Sequence, residues 1–312
     1  MNSTSLAESC LGRGAGATAA TRLQHRLALA VVLVPFAGTV FAVAWALHSG
    51  INAIEVWTFC VMYVLVMGGV SIGYHRYFTH RAFDTGPILQ TILGVLGSIA
   101  AQGPLVLWVA THRRHHAFSD EPGDPHSPHL AGTGRASMIR GLWHSHIAWM
   151  LSGDVTEWSR FPRDVMRDRR AFRIHRLYFE CVTAGLLLPG AVAGLIARSW
   201  SAVWFGFLWG GLVRMFVVNQ AAWCVGSICH YFGSQRFETH DHSKNNYIVA
   251  TLTFGEGLQN NHHAFPSAAR HGLRWWEPDL SGLVIRLLGA FGLVWNVKHP
   301  TRQAIARLRR AT

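Results

Sequence analysis

The sequence predicts an all-α integral membrane protein in which four transmembrane helices carry a cytoplasmic helical cap with a metal site. Three observations lead to this prediction. Half of the 312 residues are hydrophobic and only 14% are charged. Several runs with little or no charge approach the length of about 20 residues that a helix needs to cross a bilayer. Histidines are grouped in three short clusters, each beside an apolar segment.

The hydropathy pattern defines the expected boundaries of the chain. The four spans are predicted at about residues 27–47, 52–74, 178–197 and 199–222, and the cap at 75–177 and 223–310. The last two spans are separated only by Arg198 and form a predicted hairpin. The first run is too long for a signal-peptide core and lacks a clear cleavage site, so we expect an uncleaved span. Residues 1–22 are rich in Ala, Gly, Ser and Thr and are expected to be a disordered tail, which leaves 23–310 as a single domain.

One further uncharged segment, residues 86–111, is also long enough to cross the bilayer. A crossing there would separate the first histidine cluster from the second and prevent them from sharing a site. The pair Gly103-Pro104 divides the segment into two shorter pieces. We therefore predict that this segment is buried against other helices or lies in the membrane interface, and that it does not span.

The formal net charge of +12 is distributed unevenly. Seven arginines lie between Arg160 and Arg176, and further basic residues crowd the C-terminus, whereas the short loops after the first and third spans carry almost none. This positive-inside pattern predicts that both termini and all histidine clusters are cytoplasmic in a multi-pass inner or plasma membrane protein. The basic surface is explained equally well by this topology or by attraction to anionic lipid, and no nucleic acid partner is expected.

The five cysteines show neither a CxxC pair nor regular spacing (Cys10, Cys60, Cys181, Cys224 and Cys229). They fit reduced thiols in membrane helices. A disulfide framework and a zinc knuckle are therefore not expected.

The stretch HRRHH is the strongest chemical signal in the chain. On a helix His112, His115 and His116 stand at i, i+3 and i+4, so three imidazoles share one face. Imidazole is a good ligand for iron, zinc, copper or nickel, so this face is a partial coordination shell.

Two other clusters repeat this chemistry. In QNNHH, His262 and His263 follow Gln259 with the same i, i+3, i+4 spacing. In HRYFTH, His75 and His80 stand about 140° apart around an ideal α-helix. They converge only if the helix ends between them or if they straddle a site. His230 follows the fourth span and is a weaker candidate on its own.

Two other features are candidates for ligands or for partners that hold the imidazoles in place. The loop SDEPGDPHSPH contains Asp120, Asp124, His126 and His129, although its Pro and Gly content also fits an ordinary turn. Arg214 lies within the fourth span, where a cation needs a partner or a route to the interface.

The histidine count indicates more than one metal ion. Eight candidate ligands exceed what one tetrahedral zinc needs: His75, His80, His112, His115, His116, His230, His262 and His263. Two metals with four or five ligands each would use them all. An all-imidazole shell at a membrane face suits oxygen-activating iron acting on a hydrocarbon chain, because an unactivated C–H bond offers no handle for acid–base catalysis.

These stretches carry a resemblance to a known family. GYHRYFTHRAF, ATHRRHHAFSDEPGDPHSPH, HSHIAWML, WCVGSICHYFG and GEGLQNNHHAFP resemble membrane fatty acyl desaturases of the stearoyl-CoA desaturase family, bacterial type, over about residues 30–300. The resemblance implies four membrane helices, a cytoplasmic cap and a di-iron centre of two Fe²⁺ ions held by the eight histidines. With O2 and two electrons, such an enzyme leaves a cis double bond in a long acyl chain, at the ninth carbon by family default.

Two positions depart from that family pattern. Its third box begins with His, where this chain has Gln259. Desaturases of the front-end type also have Gln at this position. Gly226 stands where the family's Asn often reaches a metal-bound water. The resemblance therefore implies a metal shell that differs from the family's at these two positions.

The implied partners follow from the same chemistry. The acyl substrate is carried by CoA, an acyl carrier protein (ACP) or a membrane phospholipid. No haem segment, Fe–S cysteine spacing or nucleotide-binding glycine loop is evident, so a ferredoxin, a cytochrome b5-like protein or a flavoprotein reductase is the expected electron donor. Three alternatives stay open: lipid-chain hydroxylation or another di-iron oxidation, a histidine-rich metal transporter, and a lipid-binding relative without catalysis.

Overall fold

The computed structural model describes residues 17–154, 156–157 and 160–309, with side chains from residue 22. Four helices are long and apolar enough to cross a membrane: Arg22–Ser49, Ala53–Thr79, Tyr178–Ala197 and Trp200–His230. The number agrees with the prediction, and the second and fourth helices continue beyond the predicted spans, to Thr79 and to His230. Of the expected disordered tail, residues 1–16 lie outside the described residues, and the first helix already begins at Ala17.

The described part of the chain is almost entirely helical. In chain order its elements are α1 (Ala17–Ser49), α2 (Ala53–Gly68), a π-helix (Gly69–Thr79), β1 (Asp84–Thr85), α3 (Pro87–Ser98), α4 (Leu105–Phe118), α5 (Arg135–His146), a 3-10 turn (Ala148–Leu151), α6 (Arg163–Arg167), α7 (Arg169–Arg176), α8 (Tyr178–Ala197), α9 (Trp200–Gly206), a second π-helix (Phe207–Val213), α10 (Arg214–Gly226), a 3-10 turn (Ile228–His230), α11 (Tyr247–Leu252), α12 (Gln259–Ala264), α13 (Leu280–Ala290), β2 (Val294–Trp295) and α14 (Arg302–Leu308).

The outer faces of the four long helices are apolar. Leu47, Leu195 and Trp200 are each at least 80% exposed. The apolar window of the first helix is only 11% buried within the protein, whereas that of the fourth is 56% buried. Apolar surface of this extent on helices of this length is covered by lipid rather than water, which makes this a membrane protein.

The second long helix changes geometry where it reaches the first histidine cluster. It begins at Asn52, whose side chain and that of Glu55 form a reciprocal capping box. From Gly69 it continues as a π-helix to Thr79. Glycines allow α3 to lie directly against this π-helix: a Cβ at Gly69 would stand 2.4 Å from the Leu96 carbonyl carbon, and one at Gly73 would stand 2.6 Å from the Leu93 oxygen.

The prediction that residues 86–111 do not form a span is confirmed. The segment folds as two helices, α3 and the first half of α4, and neither is among the four long ones. The chain turns between them at Ala101 and Gly103, which both have positive φ, and Pro104 is the N-cap of α4. The turn returns the chain toward the π-helix, so α4 packs beside it through Tyr74, Val106 and other buried residues.

The C-terminal part of the chain closes over the same region. β1, just after the first histidine cluster, pairs with β2 in antiparallel register, Asp84 with Trp295. Ile285 of α13 is buried with Phe83 and Leu93. As a result α12 and α13, distant in sequence, lie beside the end of the second long helix.

The arginine-rich segment folds as α6 and α7. Ala171 and Ile174 of α7 face inward, whereas its arginines are exposed. Because α7 ends one residue before α8, this basic surface lies at one end of the third long helix.

Candidate metal centre

The π-helix brings His75 and His80 together. Its wider turn hydrogen-bonds residue i to i+5, and the His80 amide donates to the His75 carbonyl over 3.1 Å. The two imidazole centroids are 4.7 Å apart. The helix ends at Thr79 with His80 as its C-cap, and the widening of its last turns places the two histidines on one side.

HRRHH and QNNHH each direct their histidines toward two different groups. On α4, His112 and His116 face one group of histidines, and His115 faces another. On α12, His262 faces the first group, while His263 faces the second. Adjacent histidines on each helix therefore serve two neighbouring sites, which explains why both motifs end in HH.

Two clusters result. The five-histidine cluster consists of His75, His80, His112, His116 and His262, and the three-histidine cluster consists of His115, His230 and His263. Within each cluster the candidate ligand atoms lie within 4.8 Å of one another. The structure thus brings together all eight histidines that the sequence analysis selected.

In the five-histidine cluster the Nε2 atoms point at a common centre. The His75 Nε2 lies 2.9 Å from that of His112 and 3.1 Å from that of His262, and the His116 Nε2 lies 2.9 Å from that of His262. The buried His80 Nε2 has no hydrogen-bond partner among the described residues. Converging nitrogens of this kind satisfy one another poorly as hydrogen-bond partners. They are better suited to bind a shared cation.

The three-histidine cluster is backed by carboxylates. The Nδ1 atoms of His115, His230 and His263 hydrogen-bond to Asp124, Asp120 and Asp241, respectively. A proton held on Nδ1 leaves the Nε2 lone pair free for a metal, as in carboxylate–histidine–metal arrangements. Accordingly, the buried Nε2 atoms of His115 and His230 have no hydrogen-bond partner in the described part of the chain.

Within the described residues, one carboxylate contacts a ring of the five-histidine cluster. The His75 Nδ1 contacts Glu256, which also accepts from Ser71 and pairs with Arg76. Arg76 is 1% exposed and reaches Asp279 at 2.9 Å. The end of the second long helix is thus tied through Arg76 to two acids from the last third of the chain.

Burial controls the protonation of this site. It lowers the pKa of His80, His112, His116 and His262 well below the ordinary value, and neighbouring imidazoles lower it further. Burial likewise lowers the pKa of His263 to about 4, although Asp241 opposes this shift. Neutral imidazole is the form that binds a metal.

The carboxylates show the opposite balance. Burial alone would raise the pKa of Asp120, Asp124, Asp241 and Glu256, but their histidine partners hold the pKa of each well below its usual range. Burial alone would also lower the pKa of His115, yet the Asp124 carboxylate raises it. The three-histidine cluster therefore sits among fixed negative charges.

The remaining candidates from the sequence lie in different places. Gln259 is 2% exposed, and its amide nitrogen lies 2.9 Å from the His263 Nε2, so it belongs to the three-histidine cluster. The His126 ring stacks on His115 at a centroid distance of 4.4 Å, and its Nδ1 lies 3.9 Å from Asp124. A Cβ at Gly226 would stand 3.4 Å from the His126 Nδ1, so the two positions adjoin.

Two of the candidates have other roles. Arg214 is fully buried, and among the described residues it donates hydrogen bonds to the carbonyls of Gly210, Ile99 and Gly185, not to a histidine of either cluster. It joins three helices within the membrane part. His129 donates from Nε2 to the His230 carbonyl at 2.9 Å and so supports a candidate ligand through the backbone.

Sequence reasoning missed Glu256, Asp241 and His271. His271 is 1% exposed, and its ring lies 4.5 Å from that of His262. Asp241 stands between two histidines in THDHS and Glu256 between two glycines in GEG, and both patterns were available as weak signals. His271 stands in ARHG without a neighbouring histidine, and the sequence around it gives no such signal.

The donor set fits a transition metal. Buried imidazoles with anionic outer partners suit iron, zinc or copper, whereas magnesium and calcium prefer oxygen ligands. The two neighbouring clusters could hold metal ions. Trp108 stacks on His112 with the planes 10° apart and covers one face of that ring.

The architecture is that of a helical membrane protein with two adjoining sets of buried or half-buried histidines that could hold metal ions. The comparison with protein families narrows the class, because the fatty acid desaturase model matches residues 52–283. The chain belongs to the fatty acid desaturase family and is an oxidoreductase acting on fatty acyl chains.

Curated relatives agree with this assignment. The chain is 44% identical over 285 residues to a hex-5-enoyl-[acyl-carrier protein] acetylenase of Moorena producens, covering 91% of this chain and 89% of the relative. It is 36% identical over 252 residues to an sn-1 stearoyl-lipid 9-desaturase of Synechocystis sp., covering 79% and 72%. It is 39% identical over 234 residues to an sn-1 stearoyl-lipid 9-desaturase of Anabaena variabilis, covering 74% and 78%.

Proposed function

We propose that this desaturase inserts a cis double bond into a long acyl chain at a di-iron centre, with one iron in each histidine cluster. The observation that carries the proposal is the division of eight buried or half-buried histidines into two adjoining sets, five and three. Gln259 adds a carboxamide to the smaller set. All eight histidines are proposed as ligands on the same ground.

The chemistry balances with an external electron source. Iron bound at this site supplies O2 activation, and O2 takes two hydrogen atoms from the acyl chain, two electrons and two protons to leave two waters and a double bond. The chain's own residues hold the geometry. Asp120, Asp124 and Asp241 keep the Nδ1 protons, and Trp108 keeps water from one face of His112.

The membrane arrangement is part of the proposal. With four crossings, the uneven distribution of basic residues supports a cytoplasmic location for both termini and the histidine clusters. A cytoplasmic ferredoxin, cytochrome b5-like protein or flavoprotein reductase then delivers the electrons. Labelling of single cysteines placed in residues 49–52 and near residue 300 by an impermeant thiol reagent on intact cells tests it. Only the first is expected to react.

The proposal is tested by the fatty acid profile of a host without its own desaturases, with and without this protein, by gas chromatography–mass spectrometry. New monounsaturated chains, located by derivatisation, support it, and the ninth carbon is the expected position. Hydroxy acids would favour the hydroxylase alternative. An unchanged profile with inserted protein, iron and a competent donor would overturn the proposal.

A second candidate function is acetylenic bond formation on a carrier-bound acyl chain. It is favoured by the 44% identity to the Moorena producens acetylenase, which extends over nine-tenths of this chain. The same mass-spectrometric experiment distinguishes it, since a triple bond removes two further hydrogens. Supplying an unsaturated acyl group on acyl carrier protein to the purified enzyme is the direct assay.

A further inference from the structure

The two arginines of HRRHH reach in different directions from α4. The Arg113 guanidinium donates to the Thr79 carbonyl from Nε and Nη2 at 3.0 and 2.8 Å and to the Phe78 carbonyl at 3.1 Å. It also forms a bidentate pair with Asp164, at 2.6 and 2.9 Å. Arg113 thus joins α4 to the last residues of the π-helix, immediately before His80.

Arg114 reaches the loop that carries two of the carboxylates. Its Nε donates to the Gly123 carbonyl at 2.8 Å, and its two terminal nitrogens pair with Asp154 at 2.9 and 2.7 Å. Gly123 has a φ of +114° and directly precedes Asp124, the partner of His115. Asp120, the partner of His230, lies in the same loop.

We propose that Asp164 and Asp154 are positioning residues that act separately on the two metal sites. Asp164 holds Arg113 and so fixes His80 against His112 and His116 in the five-histidine cluster. Asp154 holds Arg114 and so fixes the loop that supplies Asp120 and Asp124 to the three-histidine cluster. The proposal rests on the proposed function, because it requires two metal sites.

The geometry gives these pairs more influence than ordinary surface ion pairs. The Arg114 side chain is 7% exposed and that of Arg113 21%, and each pair is bidentate, which fixes the guanidinium plane. Both arginines also donate to backbone carbonyls that lie within one residue of a candidate ligand or its carboxylate partner. A neutral amide in place of either aspartate keeps the side chain's shape but loses one of the two charge-assisted acceptors.

The test is a Co²⁺ titration of the purified, full-length, metal-free protein in detergent. Cobalt is a spectroscopic probe of imidazole sites and needs neither O2 nor an electron donor. We expect two binding steps in the parent protein. Asp164→Asn weakens one step and Asp154→Asn the other, each by about tenfold, the lower end of the usual effect of outer partners.

The variant His263→Ala identifies the step. In that background the remaining Co²⁺ occupies the five-histidine cluster, and we expect Asp164→Asn to weaken it, while Asp154→Asn leaves it unchanged. Asp164→Glu, which restores the charge, returns the affinity to within about threefold, as a charge-assisted contact predicts. Thermal melting confirms that each variant is folded.

Two results would overturn the proposal. One is equal weakening of both Co²⁺ binding steps by either aspartate variant, which indicates general destabilisation; the other is that neither variant weakens any step. Failure of this proposal can be distinguished from failure of the di-iron proposal. That proposal fails separately if the chain binds Co²⁺ in two steps but retains no iron and leaves the host's fatty acids unchanged.

Discussion

The five-histidine and three-histidine clusters contrast in how they would hold a metal. The first surrounds its centre with imidazoles and has one carboxylate, Glu256, behind one of them. The second has fewer imidazoles, but every one of them is backed by its own aspartate. A carboxylate on Nδ1 makes the ring a stronger donor and fixes its orientation. The smaller ligand set is therefore reinforced from behind, while the larger one relies on ligand number.

The largest expected effect comes from removing one imidazole from each cluster. His262→Ala and His115→Ala should each reduce desaturation to background, beyond the roughly 10–100-fold loss typical of outer partners, because each removes a ligand itself. Iron content and insertion are measured together with product formation. A variant that keeps both iron and normal turnover would show that the residue does not belong to the shared site.

The next effect distinguishes the two kinds of support. Asp241→Asn removes the partner of His263 and should weaken metal binding in the three-histidine cluster by roughly 10–100-fold without unfolding the protein. Glu256→Gln also leaves Arg76 short of one acid, so it should lower stability as well as metal affinity. Metal titration and thermal melting measure the two quantities.

The contrast between the clusters is contradicted if Asp241→Asn and Glu256→Gln lower metal affinity and thermal stability to the same extent. Asp168→Asn is a suitable control for removing a carboxylate elsewhere. Its carboxylate accepts hydrogen bonds from Gln90 and from the first backbone amides of α7, not from a histidine of either cluster.

A smaller effect is expected when the missing imidazole is supplied. Gln259→His places a ninth histidine beside His263, at a position that is 2% exposed. Activity should survive, and chelator release of the metal from the three-histidine cluster should slow by up to about tenfold, less than a full outer-partner effect because the site is already supported. Loss of activity would mean that the carboxamide itself has a role that imidazole does not replace.

The smallest effect concerns Gly226. Its added Cβ would stand in ordinary contact, 3.4 Å from the His126 Nδ1 and 3.7 Å from the Ser145 Oγ. Gly226→Ala should therefore change stability by no more than about 1 kcal/mol, the scale of helix propensity. Activity is assayed alongside thermal melting, and a large loss of turnover in a stable variant would give this position a part in the chemistry.

Gly141→Ala is the matched control for Gly226→Ala. There a Cβ would stand 1.8 Å from the backbone oxygen of Pro128, so the loop must move. A loss of about 1–3 kcal/mol is expected for such overpacking.

The histidines and the membrane helices were accessible from sequence because both signals are local. HRRHH and QNNHH place their side chains by helix periodicity alone, and Gly103-Pro104 marks the turn that keeps residues 86–111 from spanning. The sharing of histidines between two sites was not visible. It depends on which neighbours the faces of α4 and α12 meet.

The other failures are also physical in origin. An ideal α-helix was assumed for His75 and His80, and the π-helix could not be inferred from the residues between them. Glu256 lies 180 residues from Arg76, and no local pattern links positions so far apart. Arg214 was expected to need a partner or a route to the interface, and its partners are three backbone carbonyls.

The bond from Arg76 to Asp279 has a consequence for biosynthesis. The first histidines are synthesised early. His262, Glu256 and Asp279, which contact this region, are synthesised about 180 residues later or more. Neither histidine cluster is complete until His262 and His263 have been synthesised and folded against α4. A product truncated before residue 259 therefore lacks a member of each cluster and presents separated imidazoles.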